Sequence, residues 1–103
     1  MTTRKRVHRD GTQEWHKRNY QRHRVDGPAV IYPDGTQHWY QHDKLHREDG
    51  PAVIYRDGTQ YWYQHGKLHR DDGPAVINAD GTRRWWLNNT EYDEFVFRMM
   101  VAR

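Results

Sequence analysis

At 103 residues, with 34% hydrophobic and 30% charged side chains, the chain has room for one small domain and too little apolar area for a thick two-layer core. A mean hydropathy of −1.33 would place a non-repetitive sequence among disordered chains, but five Trp and seven Tyr recur at fixed places, and such rings bury large areas. The absence of both Cys and Ser excludes disulfide staples, thiolate metal sites and the common nucleophile–His arrangements.

The formal net charge of +3 is unevenly spread. Residues 1–24 hold eight Lys and Arg against Asp10 and Glu14, whereas the remainder holds nine basic and twelve acidic residues. A basic end and a mildly acidic body follow. No apolar run succeeds Arg4, Lys5 and Arg6, so neither a secretion signal nor a membrane span is expected.

In chain order, a degenerate unit covers residues 5–26 (KRVHRDGTQEW at its start), with one extra residue between Trp15 and Gly27. Residues 27–49 (GPAVIYPDGTQHWYQHDKLHRED) and 50–72 (GPAVIYRDGTQYWYQHGKLHRDD) then differ at only four of 23 positions. A partial copy follows over 73–89 (GPAVINADGTRRWWLNN). The worn outer copies keep Asp-Gly-Thr, begun by Asp10, Asp34, Asp57 and Asp80, and then Trp15, Trp39, Trp62 and Trp85. The whole of 1–103 therefore reads as one repeat domain.

Within a unit, Ala29–Tyr32 is a β-branched and aromatic run that favours a strand. Pro33-Asp34-Gly35 supplies a three-residue hairpin loop, with Gly35 suited to the left-handed position. That loop would set Ala29 opposite Trp39, a small residue beside a large ring. Gln37–Gln41 is the return strand. His42-Asp43-Lys44 and His65-Gly66-Lys67 form a second turn. Glu48 to Pro51 leads into the next unit. In the tail, Thr90 with Asp93 resembles a capping pair, and Tyr92, Phe95, Val96, Met99 and Met100 fall at helical spacing. A helix from Glu91 to about Val101, within a cap over 90–103, is predicted to close the last hairpin. The predicted fold is mainly β: a single-layer antiparallel hairpin meander with a C-terminal capping helix. Its N-terminal edge is expected to be open.

The string Trp62 to Leu68 (WYQHGKL), with Asp-Gly-Thr turns at this period, resembles MORN-type repeats. It is most similar to the variant in YwqK-like antitoxin proteins and in phage and giant-virus repeat proteins, which His46 to Ala52 (HREDGPA) also resembles. The resemblance spans about Arg6 to Phe95. It implies a scaffolding or binding unit, in the setting of a phage or bacterial inhibitor. Such an inhibitor would be antitoxin-like or would block a host defence nuclease such as a CRISPR effector, in the cytoplasm of a bacterium or phage-infected cell. The chain lacks the extra glycines of the common MORN pattern, so lipid contact is not carried over.

His23, His46 and His69 recur once per unit, each followed by Arg and, three positions on, by Asp. A zinc site needs ligands converging within about 2.0–2.3 Å of one ion, and a ladder with one His per rung does not converge. No metal, cofactor or catalytic site is expected. The remaining readings are protein binding, nucleic-acid binding and self-association, for instance as a homodimer. Trp, Tyr and Arg enrichment suits protein interfaces. The residues expected to bind a partner are Arg4, Lys5, Arg6, Arg9, Lys17 and Arg18, with Tyr40 and Tyr63 as exposed rings. Tyr61 and Trp86 join them if the ligand is nucleic acid, by stacking on bases while the basic end holds phosphates.

Overall fold

Turn chemistry sets the architecture. The computed structural model describes residues 3–102. Each Asp-Gly-Thr segment closes a tight loop: Tyr32 N–H donates to Thr36 O (2.9 Å), and Gly35 N–H returns to Tyr32 O (2.9 Å). Gly35 sits at φ 93°, a value side-chain-bearing residues rarely adopt. The Asp34 carboxylate accepts from Thr36 N–H (2.9 Å), as do Asp10, Asp57 and Asp80 from their own threonines. The second turn is a two-residue loop. His42-Asp43, His65-Gly66 and Asn88-Asn89 all have positive φ, as a type I′ hairpin requires.

The strands are β1 (Arg4–Val7), β2 (Gln13–His16), β3 (Val30–Ile31), β4 (Gln37–His38), β5 (Tyr40–Gln41), β6 (Lys44–Leu45) and β7 (Val53–Ile54). They continue with β8 (Gln60–Tyr61), β9 (Tyr63–Gln64), β10 (Lys67–Leu68), β11 (Val76–Ile77), β12 (Arg83–Leu87) and β13 (Thr90–Tyr92), and the helix α1 is Glu94–Val101. The main sheet has nine strands in the order β1-β2-β3-β4-β7-β8-β11-β12-β13, with β5-β6 and β9-β10 as separate hairpins. Trp39 is the pivot between the two systems. Its N–H donates to Ala52 O in the next unit (2.6 Å), while its carbonyl accepts from His46 N–H in its own second hairpin (3.0 Å). The second hairpins stack in turn, Gly66 N–H donating to Leu45 O (2.8 Å).

Register places two alternating rows on the sheet, one per face. Val30 pairs with Glu14 and His38, and Val53 with His38 and Tyr61. One residue further along each ladder, Ala29 lies between Trp15 and Trp39, Ala52 between Trp39 and Trp62, and Ala75 between Trp62 and Trp85. The three alanines are wholly buried, and Val30, Val53 and Val76 nearly so. The core is therefore two thin rows on a single sheet, each alternating small and large. The mainly β hairpin meander closed by one helix stands as the sequence predicts.

The end of the array differs from the sequence expectation. Thr90–Tyr92 is not the start of the helix but a strand, paired with β12 through Leu87↔Thr90 and Trp85↔Tyr92. Asn88-Asn89 is the I′ turn of the fourth unit, because Asn tolerates positive φ, and strand pairing then satisfies the backbone that a helix would otherwise use. The helix begins three residues later than expected, at Glu94, with Asp93 as its N-cap accepting from Val96 N–H (2.9 Å). Its packed face also differs. Phe97 is 3% exposed, whereas Phe95 (73%), Val96, Met99 and Met100 face outward. No helix among the described residues is long and apolar enough to cross a membrane.

Candidate protein-binding surfaces

The Trp row is sealed by arginines. Arg24, Arg47 and Arg70 lie over Trp15, Trp39 and Trp62 at 3.9, 3.8 and 3.8 Å from the ring centres. Each guanidinium is held on its other side. Arg47 Nη1 donates to Pro51 O (3.2 Å) and its Nε to Asp49 (3.3 Å), and the other two repeat the pattern. The glycine before each proline makes room for this lid, since a Cβ on Gly50 would fall 2.6 Å from Arg47 Cζ. At Trp85 the repeat has run out, and Asp93 stands at the position an arginine would fill. There α1 packs on β12, and Phe97 and Val101 share a small cleft with Trp85. This face is closed packing, with little left to offer a ligand.

The histidine column is also structural. His23, His46 and His69 Nδ1 accept the backbone N–H of His42, His65 and Asn88 (2.9, 2.9 and 3.1 Å). Each imidazole thereby clamps the I′ turn of the following unit, and its Nε2 carries the proton. For His46 that proton points to Glu48 Oε1 at 2.7 Å. Burial, with His42 and Lys17 nearby, lowers the pKa of His23. Among the described residues, no three His, Asp or Glu converge as a metal site would require.

The opposite face carries the aromatic stripe. Tyr32 meets His38 edge-on (5.1 Å between ring centres), His38 meets Tyr55 (6.4 Å), and Tyr55 meets Tyr61 (5.7 Å). Burial and a nearby Arg22 lower the His38 pKa. Tyr40, expected to be an exposed ring, is a correction: it is 9% exposed. Arg22, from the preceding unit, lies 3.9 Å over its ring and is held there by Asp43 (2.8 Å). Burial raises the pKa of Tyr40, and that of Tyr63 for the same leading reason. Tyr63, Tyr61 and Trp86 are half-buried. Tyr55, 41% exposed, and Tyr20 are the wet tyrosines, and neither is expected from the sequence to bind a partner.

The basic residues separate into an edge and a rim. Arg4, Lys5 and Arg6 are exposed on β1, whose outer side is the open end of the nine-stranded sheet. Lys5 also reaches Trp15 (5.2 Å). Arg9 lines a groove beside the first Asp-Gly-Thr turn with His8, Glu14 and Tyr32. Lys17 Nζ is 2.7 Å from His42 Nδ1, and Arg18 is exposed in the second turn of the first unit, a longer loop closed by the His16↔Arg22 bridge. The structure thus gathers Arg4, Lys5 and Arg6 on one strand and sets Tyr40 and Tyr63 apart, several strands away.

These features define a tandem β-hairpin repeat protein with two accessible surfaces, a basic sheet edge and an aromatic stripe. Comparison with protein families, with curated proteins and with solved structures gives no match.

Proposed function

We propose that the chain is a non-enzymatic binding module that recognises another protein through its basic N-terminal edge. The observation that carries this reading is β1 itself: a four-residue strand, exposed throughout, three of whose side chains are cationic. Its outer backbone groups are available for strand addition, and its charges select an extended acidic segment.

The pattern of charge along the ladder supports the reading. Pairing between inner units uses Gln37, His38, Gln60 and Tyr61 against Ile54, Val53, Ile77 and Val76. At the two ends, the same columns hold Arg6 on β1 and Arg83 and Arg84 on β12. A second copy continuing the array in register would bring Arg6 beside Arg83 and Arg84; Arg84 is already held by Glu91 (2.7 Å), so the like charge that opposes such growth is that of Arg83. At the β1 edge a cationic strand of a second copy is disfavoured, while an acidic strand is favoured; at the far end β13 already lies against β12. The resemblance to antitoxin and phage repeat proteins supports the setting proposed with it, an inhibitor that acts by covering its target's surface.

The test is capture from a bacterial lysate, with and without nuclease, by the native chain and by a variant with Arg4, Lys5 and Arg6 all changed to Glu. A nuclease-resistant protein retained by the native chain and lost by the variant supports the reading. Equal retention by both removes β1 as the docking edge. Capture that disappears with nuclease replaces the protein with nucleic acid, held by the same cations.

A further inference from the structure

We propose that the aromatic stripe is a docking track for a second kind of segment, a proline-rich peptide carrying basic residues in the polyproline II conformation. This inference rests on the reading of the chain as a protein-binding module but uses a different surface.

The first ground is shape. Open grooves lie between successive hairpin loops on this face. One, of about 490 Å³, lies between His8 and Tyr32, and the next, of about 510 Å³, between Tyr32 and Tyr55, with Pro33 and His38 on its walls. The rings at the ridges occupy one repeat column, because His8, Tyr32 and Tyr55 each stand two residues before the Asp of an Asp-Gly-Thr turn. Ridges of aromatic rings flanking shallow grooves are what proline-rich ligands use. Tyrosine hydroxyls supply donors for the carbonyls such a ligand leaves unpaired.

The second ground is period. Neighbouring ridges are separated by two strands of one sheet, Tyr32 following β3 and Tyr55 following β7, with β4 between. Two interstrand steps are about 9.6 Å. One turn of polyproline II, three residues at about 3.1 Å, is about 9.3 Å. A ligand lying across the strands would therefore present an equivalent residue to each ridge. An extended β-strand ligand, at roughly 6.8 Å per two residues, would not keep step. Sheet twist, roughly 20–25° per strand, limits the match to about two grooves, or six residues.

The third ground is charge. Asp10, Asp34 and Asp57 recur along the rim, one per unit and exposed, and Glu14 adds to the first groove. Hydrogen bonds from the Thr12, Thr36 and Thr59 backbones hold the three Asp carboxyls below the usual carboxylate range, so they are ionised at neutral pH. Arg9 and Arg56 offset them only in part, and Arg22, which also lines the first groove, is already paired with Asp43 (2.8 Å). The rim selects cationic side chains between the prolines.

The probe is a fluorescein-labelled twelve-residue peptide of repeating Pro-Pro-Arg triplets, compared by anisotropy with one of Gly-Ser-Arg triplets of equal length and charge. The proline peptide is expected to bind about tenfold more tightly, and Tyr55→Thr to weaken it by about tenfold, as for an anchoring ring at an interface. Tyr55 is exposed, and circular dichroism verifies that the variant keeps the fold. In amide NMR spectra of the native protein, the peptide should shift signals around Tyr32 and Tyr55. Equal binding of the two peptides, or shifts confined to other regions, overturns the proposal. The variant with Arg4→Glu, Lys5→Glu and Arg6→Glu should keep the peptide. Loss of lysate capture with retained peptide binding therefore separates the failure of one surface from the failure of the other.

Discussion

The guanidinium of Arg47 lies 3.8 Å from the ring centre of Trp39, with the backbone of Gly50 against its other side. The same three-part stack occurs at Arg24 with Trp15 and at Arg70 with Trp62, so a single-layer sheet obtains on one face what a second layer would otherwise provide. Arginine suits this role because its flat cation packs on an aromatic face while its edge still donates hydrogen bonds.

Gly50→Ala should force Arg47 off Trp39 and lower stability by about 1 kcal/mol, the scale of a partly desolvated cation–π contact. Urea unfolding measures it. In an Arg47→Ala background the glycine change should cost markedly less, because the clash has gone. Equal cost in both backgrounds would contradict the stack.

Ala52 is wholly buried, and its ladder places it between Trp39 and Trp62. Ala52→Leu has no space to enter and should destabilise by about 1–3 kcal/mol through overpacking. Trp62→Ala removes the ring from two alanine contacts and from Arg70, and should cost about 3 kcal/mol or more, enough to unfold much of the array. A stable, soluble Trp62→Ala chain would refute the row packing.

Acid should weaken the fold from near neutrality downward. His23 and His38 have folded pKa values lowered below 6.5, by burial first and then by nearby positive groups, His42 and Lys17 for His23 and Arg22 for His38. The unfolded chain therefore takes up protons first as pH falls through 6.5, and stability present above that value is lost toward the lower folded pKa. Protonation of His23 Nδ1 also removes the acceptor for His42 N–H. Thermal melts at pH 7.5 and pH 5 should show the loss. His23→Asn, which retains an acceptor but cannot titrate, should shrink it.

The helix should matter chiefly through Phe97, its one buried residue among those described. Phe97→Ala should cost about 2–4 kcal/mol locally and expose the fourth hairpin, read as faster amide exchange in β12 and β13 with the first three units unchanged. Phe95→Ser and Met99→Ser, on the outward face, should leave stability within about 0.5 kcal/mol of the native chain.

Much of this fold is legible in the sequence because loop length dictates register. The three residues Pro33-Asp34-Gly35 place Ala29 opposite Trp39, and no long-range information is needed. The fourth unit is less legible. Asn88-Asn89 does the work of His42-Asp43 with different side chains, so the strand Thr90–Tyr92 lay hidden behind a plausible capping pair. The candidate site was legible only at its basic edge, where unpaired position and charge coincide in one short strand.

The sequence by itself determined the period, the three-residue Asp-Gly loop, the place of the second turn, the Trp and Ala columns and the basic end, since each depends on residues within one unit; that the second turn is a two-residue I′ loop came from the structure. Only the tertiary structure decided which rings meet water. Both faces of the sheet carry aromatics, and alternation assigns a residue to a face without saying what lies over it. Tyr40 is buried because Arg22 reaches it from the preceding unit, and Tyr55 is wet because, among the described residues, no such side chain lies over it. The helix closes the array through Phe97 because Trp85 is the last ring of its row and the arginine column ends before it, with Asp93 in that place. Burial in a repeat array is a property of neighbouring units, and their packing lies outside any one repeat's pattern.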